Sequence, residues 1–323
     1  MRRWLAIGLI GLLLGGPIPA VAQPATPAAS GAAAGSGGFA GLVDVGGGRR
    51  MFLACRGEGG PTVILEAGAG NNGDTWDAGA LGADATRTAV FPGVAAFTRV
   101  CAYDRPGTML DPDRRSRSDP VPMPRGAPEM VADLHALLGA AEVPGPYVFA
   151  AHSFGGLVAR LYAATYPDEV VGLVLVDSAH EDYYGRLRAL LTAAQWAAFT
   201  APPPDLTDDP VFERLAIDAS TDAMRAAAAA SPLRPLPLVV LTHGRPFDWP
   251  PDAPAAEIEA LWLPLQEDLA ALVPGGRLVV AEESGHFIPG DQPELVIAAI
   301  RQVVDAAREP GAWATAAATP AGE

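Results

Sequence analysis

Hydrophobic and polar positions change rhythm repeatedly along this chain. Short apolar runs at 51–55, 62–65, 99–103, 147–151, 172–176, 238–241 and 277–281 have the length of strands, and most are continuous enough to be buried on both faces. Stretches with helical spacing at 127–141, 155–166, 255–272 and 293–307 separate the later runs. Strand and helix in alternation predict the α/β class, a mainly parallel sheet covered on both sides, with reactive groups on loops at the carboxyl ends of the strands. One interval breaks the rhythm. Residues 178–237 hold helical pieces such as YYGRLRALLTAAQWAAF and MRAAAAA around a PPP break, with no strand signal, and so long an insertion predicts a helical lid over a pocket.

The two ends lack this order. The opening MRRWLAIGLIGLLLGGPIPAVAQ sets Arg2 and Arg3 before an apolar run, followed by Pro17 and the small residues Ala20 and Ala22, the pattern of a secretory signal peptide over 1–22 cut before Gln23. The run is shorter than the ~20 residues a membrane span needs, so no stable membrane anchor is expected after cleavage. Residues 23–40 are low-complexity Pro, Ala, Gly and Ser and read as a flexible linker, with a similar tail over 310–323. One domain is left, over 41–309, in a protein exported to the periplasm or beyond.

Composition narrows the picture further. Half of the 323 residues are hydrophobic, ample for a core. The formal charge is -15, with 37 acidic residues against 22 basic ones, and this balance argues against nucleic acid or an anionic membrane as partner. The only cysteines are Cys55 and Cys101, an even count that permits one disulfide in an exported chain.

The candidate chemistry starts at FAAHSFGGLVARLYA, where the strand YVFAA feeds through His152 and Ser153 into a helix. A serine exposed on such a turn needs a strained backbone, with small residues two before and two after it so that strand and helix can approach; Ala151 and Gly155 meet that demand. This is the nucleophile-elbow pattern with Ala in its first place. A hydroxyl needs a neighbouring base, and the base an orienting group. Of the five histidines, His286 stands on a Gly-flanked loop after the last strand and is the expected base. His135 falls on a helix face, His152 adjoins the serine but points away from it, and His180 and His243 follow strands where they could line a pocket. For the acid, Asp177 ends the strand GLVLVD, and Asp248 is the alternative in the loop after the next strand. Both satisfy the chain order Ser, acid, His.

On these residues the chain resembles the α/β-hydrolase fold superfamily, in particular its secreted bacterial serine hydrolases of the esterase, lipase and peptidase-like group. The landmarks are TVILEAGAGN, RVCAYDRPG, AHSFGG, GLVLVDSAH and ESGHFIPGDQPE. The resemblance implies a mainly parallel eight-stranded sheet with the lid inserted after strand 6. It also implies an oxyanion hole made by the backbone amides of Phe154 and Ala69. In such a sheet the second and fourth strands are neighbours, which implies a disulfide between Cys55 and Cys101. Glu66 and Arg105 fall at the ends of adjoining strands, where they either form a buried ion pair shaping the oxyanion loop or face solvent.

The expected function is hydrolysis of a carboxylic ester, with amide or lactone next, on a small to medium, mostly apolar acyl substrate, through an acyl-enzyme and without cofactor. A non-hydrolytic binding protein or an acyl transferase of the same fold is the alternative. No metal site is expected: adjacent His180, Glu181 and Asp182 cannot converge on one ion from regular structure. GAGNNG lacks the helix and acid of a dinucleotide motif. Tyr183, Tyr184, Trp196, Trp249 and Trp262 are candidates for lining an acyl pocket.

Overall fold

The computed structural model describes residues 38–77, 86–111, 113–309 and 313. The expected signal peptide, most of the 23–40 linker and, apart from Trp313, the 310–323 tail lie outside the described residues.

Eight strands form the central sheet: β1 (Phe39–Gly46), β2 (Arg49–Arg56), β3 (Thr62–Glu66), β4 (Val100–Tyr103), β5 (Tyr147–His152), β6 (Val170–Val176), β7 (Leu238–His243) and β8 (Arg277–Ala281). Their spatial order is β1-β2-β4-β3-β5-β6-β7-β8. β1 pairs antiparallel with β2, and β2 antiparallel with β4; every later pairing is parallel. The expected mainly parallel eight-stranded sheet is therefore present. Its first strand begins at Phe39, inside the stretch read as linker, because FAGLVDVG alternates and is only half-buried, a weak signal beside a Gly-rich run.

The helices are α1 (Val90–Ala95), α2 (Ala127–Ala140), α3 (Gly155–Thr165), α4 (Tyr183–Leu190), α5 (Ala193–Thr200), α6 (Ile217–Ala230), α7 (Ala255–Ala270), α8 (Ile288–Asp291) and α9 (Pro293–Arg308). Strand pleating sends alternate residues to opposite faces. Phe149 and Ala151 join Leu173 and Leu175 in a core beneath α2 and α3, while Val148 and Ala150 join Val174 and Val176 in a core beneath α1 and α9. Both faces are dry, which is why these strands read as unbroken apolar runs.

The insertion between β6 and β7 folds into α4, α5 and α6. The first helical piece is cut in two at Thr192, whose hydroxyl caps Gln195 N while Gln195 Oε1 accepts from Thr192 N, a reciprocal capping box that starts α5. α6 packs on α3, and α4 packs on α7, so the insertion rests on two helices that cover the same face of the sheet.

Cys55 and Cys101 stand directly opposite in the β2–β4 pairing and are joined by a disulfide. Both are buried. The bond closes a loop spanning a sequence separation of 46 and on the chain-entropy model contributes about 4 kcal/mol by restricting the unfolded chain. A Cys55→Ala/Cys101→Ala double variant is accordingly expected to lose about 4 kcal/mol in urea unfolding. An unchanged midpoint would show that the cross-link restricts nothing the unfolded chain explores.

Candidate active site

The strand-to-helix turn after β5 holds Ser153 at φ 54°, in the left-handed region that L residues rarely adopt. Crowding explains the glycines behind it. A Cβ at Gly155 would stand 2.6 Å from the Ala67 carbonyl, and one at Gly156 would stand 2.4 Å from Ser178. Ala151 fills the first small place, fully buried.

Ser153 Oγ lies 2.9 Å from His286 Nε2, and His286 Nδ1 lies 2.6 Å from Asp177 Oδ2. The loop bearing His286 is pinned at several points. The amides of Gly244 and Arg245 donate to Ser284 O, and Asp291 Oδ2 accepts from Ser284 Oγ and Gly285 N. His152, beside Ser153 in the chain, bonds to the backbone of the His286 loop and not to the serine. Its Nε2–H donates to His286 O at 2.9 Å, and its ring lies 4.7 Å from that of His286. Burial, aided by the neighbouring His286, lowers the His152 pKa to about 3, so the ring is a neutral strut.

Asp177 is the acid that reaches His286; Asp248 is exposed in the loop after β7. Parallel pairing decides this. Val176 sits opposite Leu241, so the residue after β6 meets the last residues of β7. Asp177 takes φ 44° and is sealed from solvent. Its Oδ1 accepts from Trp262 Nε1 at 2.8 Å, His243 N at 3.0 Å and Thr242 Oγ1 at 3.3 Å, and His243 Nδ1 lies 2.8–2.9 Å from both oxygens. Burial alone would raise this carboxyl, but the hydrogen bonds from His243 and His286 outweigh it and hold it well below the usual carboxylate range. His243 and Trp262 were legible in the sequence as possible pocket residues, though not as partners of the acid.

The loop after β3 abuts the elbow: a Cβ at Gly68 would lie 3.1 Å from Ser153 Cβ. Phe154 is buried and Ala69 exposed, and among the described residues neither backbone amide donates a hydrogen bond. Arg105 shapes this loop from below. Its Nη1 donates to Glu66 and to Ala67 O, its Nη2 to Gly68 O and Glu213 Oε2, and its Nε to Glu213 Oε1 at 2.7 Å. All five donors of the guanidinium are used. The Glu66–Arg105 pair is thus buried, not facing solvent, and Tyr103 donates its hydroxyl to the other Glu66 oxygen. Burial raises the Glu66 carboxyl, with Arg105 opposing it. Glu213, from the insertion, also accepts from Gly70 N, a partnership across 108 residues from Arg105 that no local pattern announces.

The five candidate aromatics converge. Tyr183, Tyr184, Trp196, Trp249 and Trp262 pack with Phe199 and Phe247 into one cluster, and the Phe247 ring lies 5.0 Å from that of His286. His180, Glu181 and Asp182 are taken up by separate partners, although His180 Nδ1 stands 3.6 Å from Glu181 Oε2. His180 Nδ1 accepts from Asp182 N, Glu181 makes a two-pronged pair with buried Arg160, and Asp182 faces Arg225.

Arg105→Met leaves two buried carboxylates and two loop carbonyls without their partner, and is expected to cost about 3–5 kcal/mol in urea unfolding. Unaltered stability would contradict the network. Glu181 carries a pH signature. Burial would raise it, but the Arg160 hydrogen bonds bring it from 4.5 down to about 2. Its stabilising contribution is therefore complete above pH 4.5 and lost as pH falls through about 2. Glu181→Gln should flatten that part of the acid unfolding curve, and equal slopes in both proteins would dismiss the pair as its source.

The model of the alpha/beta hydrolase family matches residues 63–299, from β3 into α9. YqjL of Bacillus subtilis, an uncharacterized protein, is 28% identical over 252 residues, covering 77% of this chain and 85% of that one. Cfl2 from Burkholderia cenocepacia shares the fold with a TM-score of 0.55 at 22% identity, over 82% of this chain and 95% of its own. A thermophilic esterase from Thermogutta terrifontis does so with a TM-score of 0.51 at 20% identity, over 88% of this chain and 100% of its own. The matched span contains the elbow, Asp177 and His286, and the chain is a hydrolytic enzyme belonging to the alpha/beta hydrolase family.

Proposed function

We propose that this protein is an exported serine hydrolase that cleaves a carboxylic ester of a small to medium, mostly apolar acyl group. The observation that carries the reading is the continuous hydrogen-bonded chain from Ser153 Oγ through both nitrogens of His286 to Asp177, with the serine held on a left-handed turn. Ser153 attacks the ester carbonyl while His286 Nε2 takes its proton, and Asp177 fixes the tautomer and stabilises the imidazolium. The tetrahedral oxyanion accepts hydrogen bonds from the Phe154 and Ala69 amides, each worth ~100- to 1000-fold in rate. His286 returns the proton to the departing alcohol, and water then attacks the acyl-enzyme by the same route. The α4–α6 insertion acts as the lid. The aromatic cluster beside His286 supports an apolar substrate, since ring faces favour hydrocarbon over water. The disulfide supports export, because such bonds persist in oxidising compartments.

The test is labelling with a fluorophosphonate probe, followed by a p-nitrophenyl ester series. Wild type is expected to label and turn over, Ser153→Ala to lose the label, and Asp177→Asn to fall ~10⁴-fold in kcat. A folded wild type that neither labels nor turns over would favour a ligand-binding role instead. Product partition toward added alcohols would favour acyl transfer.

A further inference from the structure

The acid proposed for the triad serves two imidazoles. Beyond His286, His243 places Nδ1 at 2.8 Å from Asp177 Oδ2 and 2.9 Å from Oδ1, and Nε2 at 3.2 Å from Glu259 Oε2 on α7. An ionised carboxylate only accepts hydrogen bonds, so a ring set between Asp177 and Glu259 satisfies both carboxylates when each of its nitrogens carries hydrogen, as in an imidazolium. Glu259 is itself oriented, its other oxygen accepting from Phe247 N at 2.9 Å. The His243 side chain is only 6% exposed, and its ring is flanked by those of Phe247 and Trp262.

We propose that His243 is a positioning residue which, as a fixed cation between Asp177 and Glu259, shares the Asp177 carboxylate with His286 and sets the pH at which His286 is free to act as base. The proposal rests on the Ser153–His286–Asp177 reading. Charge counting gives its logic. With His286 neutral, His243 faces two carboxylates and the cluster carries one net negative charge; when His286 takes the serine proton the cluster becomes neutral. Without His243, the same proton would be drawn by two uncompensated anions, and His286 would stay protonated to higher pH. Without the Glu259 charge, the proton would arrive on a cluster already neutral, and His286 would stay free to lower pH.

The charged groups bonded to His243 are Asp177 after β6 and Glu259 on α7, with His286 on the loop after β8 bonded to the same Asp177; Glu282 lines the cleft of about 250 Å³ between β7, β8 and α7 but is exposed to solvent and stands outside the charge count. Tyr183 on α4 reaches the cluster through its packing on Trp262. Burial would lower the His243 pKa, but the Asp177 and Glu259 hydrogen bonds raise it to about 9, in keeping with a ring charged across the neutral range.

The opposite signs of two substitutions provide the test, read on the acidic limb of the kcat/KM profile with a p-nitrophenyl ester. His243→Gln keeps a donor and removes the cation, and should move the limb upward by about one pH unit. Glu259→Gln removes a negative charge while Asp177 keeps His243 protonated, and should move the limb downward by about half a unit to one unit. A purely structural role would lower kcat without displacing the limb in opposite directions. Limbs that stay in place, or move together, overturn the proposal. In the wild type labelled with ¹⁵N-histidine, both His243 ring nitrogens should appear protonated at pH 7, and a singly protonated ring would overturn it even if neither variant folds. Absence of fluorophosphonate labelling and turnover in the wild type instead retires the triad reading, a result distinct from active enzyme with unmoved limbs.

Discussion

A carboxylate shut away from water is tolerable only when donors replace the solvent it has lost. Asp177 meets that condition with two imidazoles, an indole, a threonine hydroxyl and a backbone amide. The donors come from three separate elements. β7 brings Thr242 and His243 by parallel register, α7 brings Trp262, and the last loop brings His286. The anion is consequently a point where β6, β7, α7 and the loop after β8 must agree, and the position of His286 over Ser153 follows from that agreement.

A second buried charge plays the corresponding role on the other side of the serine. Arg105 spends every donor on two carboxylates and two loop carbonyls, so the turn of Ala67 and Gly68 is fixed from beneath while the Ala69 amide is left available above. Because Glu213 belongs to the insertion, the same guanidinium ties that insertion to the loop beside the serine. Arginine suits the place because its planar fork serves two carboxylates and two carbonyls at once, which a single ammonium could not.

Strain and close packing are concentrated at the same spot. Two of the left-handed non-glycine residues among those described are Ser153 and Asp177. Gly155, Gly156 and Gly68 are needed because backbone or neighbouring side chains occupy the place of a Cβ. Such conformations persist only where surrounding contacts over-determine them, and here the two charge networks supply those contacts.

The sequence by itself determined much of this. Apolar runs, most of them buried on both faces, marked seven of the eight strands, and small residues around Ser153 together with a Gly-flanked histidine pointed to two members of the candidate site. These signals are local: strand burial, turn crowding and loop flanks are written within a few residues. β1 escaped because a half-buried edge strand beside a Gly-rich stretch carries little hydrophobic contrast. Which aspartate reaches His286 was decided only by the tertiary structure, since it depends on the register between β6 and β7. The same holds for Glu213 on Arg105 and for His243 between Asp177 and Glu259. Ion pairs across 108 residues, and hydrogen bonds between groups that end adjacent strands, have no periodicity in the chain and exist only once the sheet has set the distances.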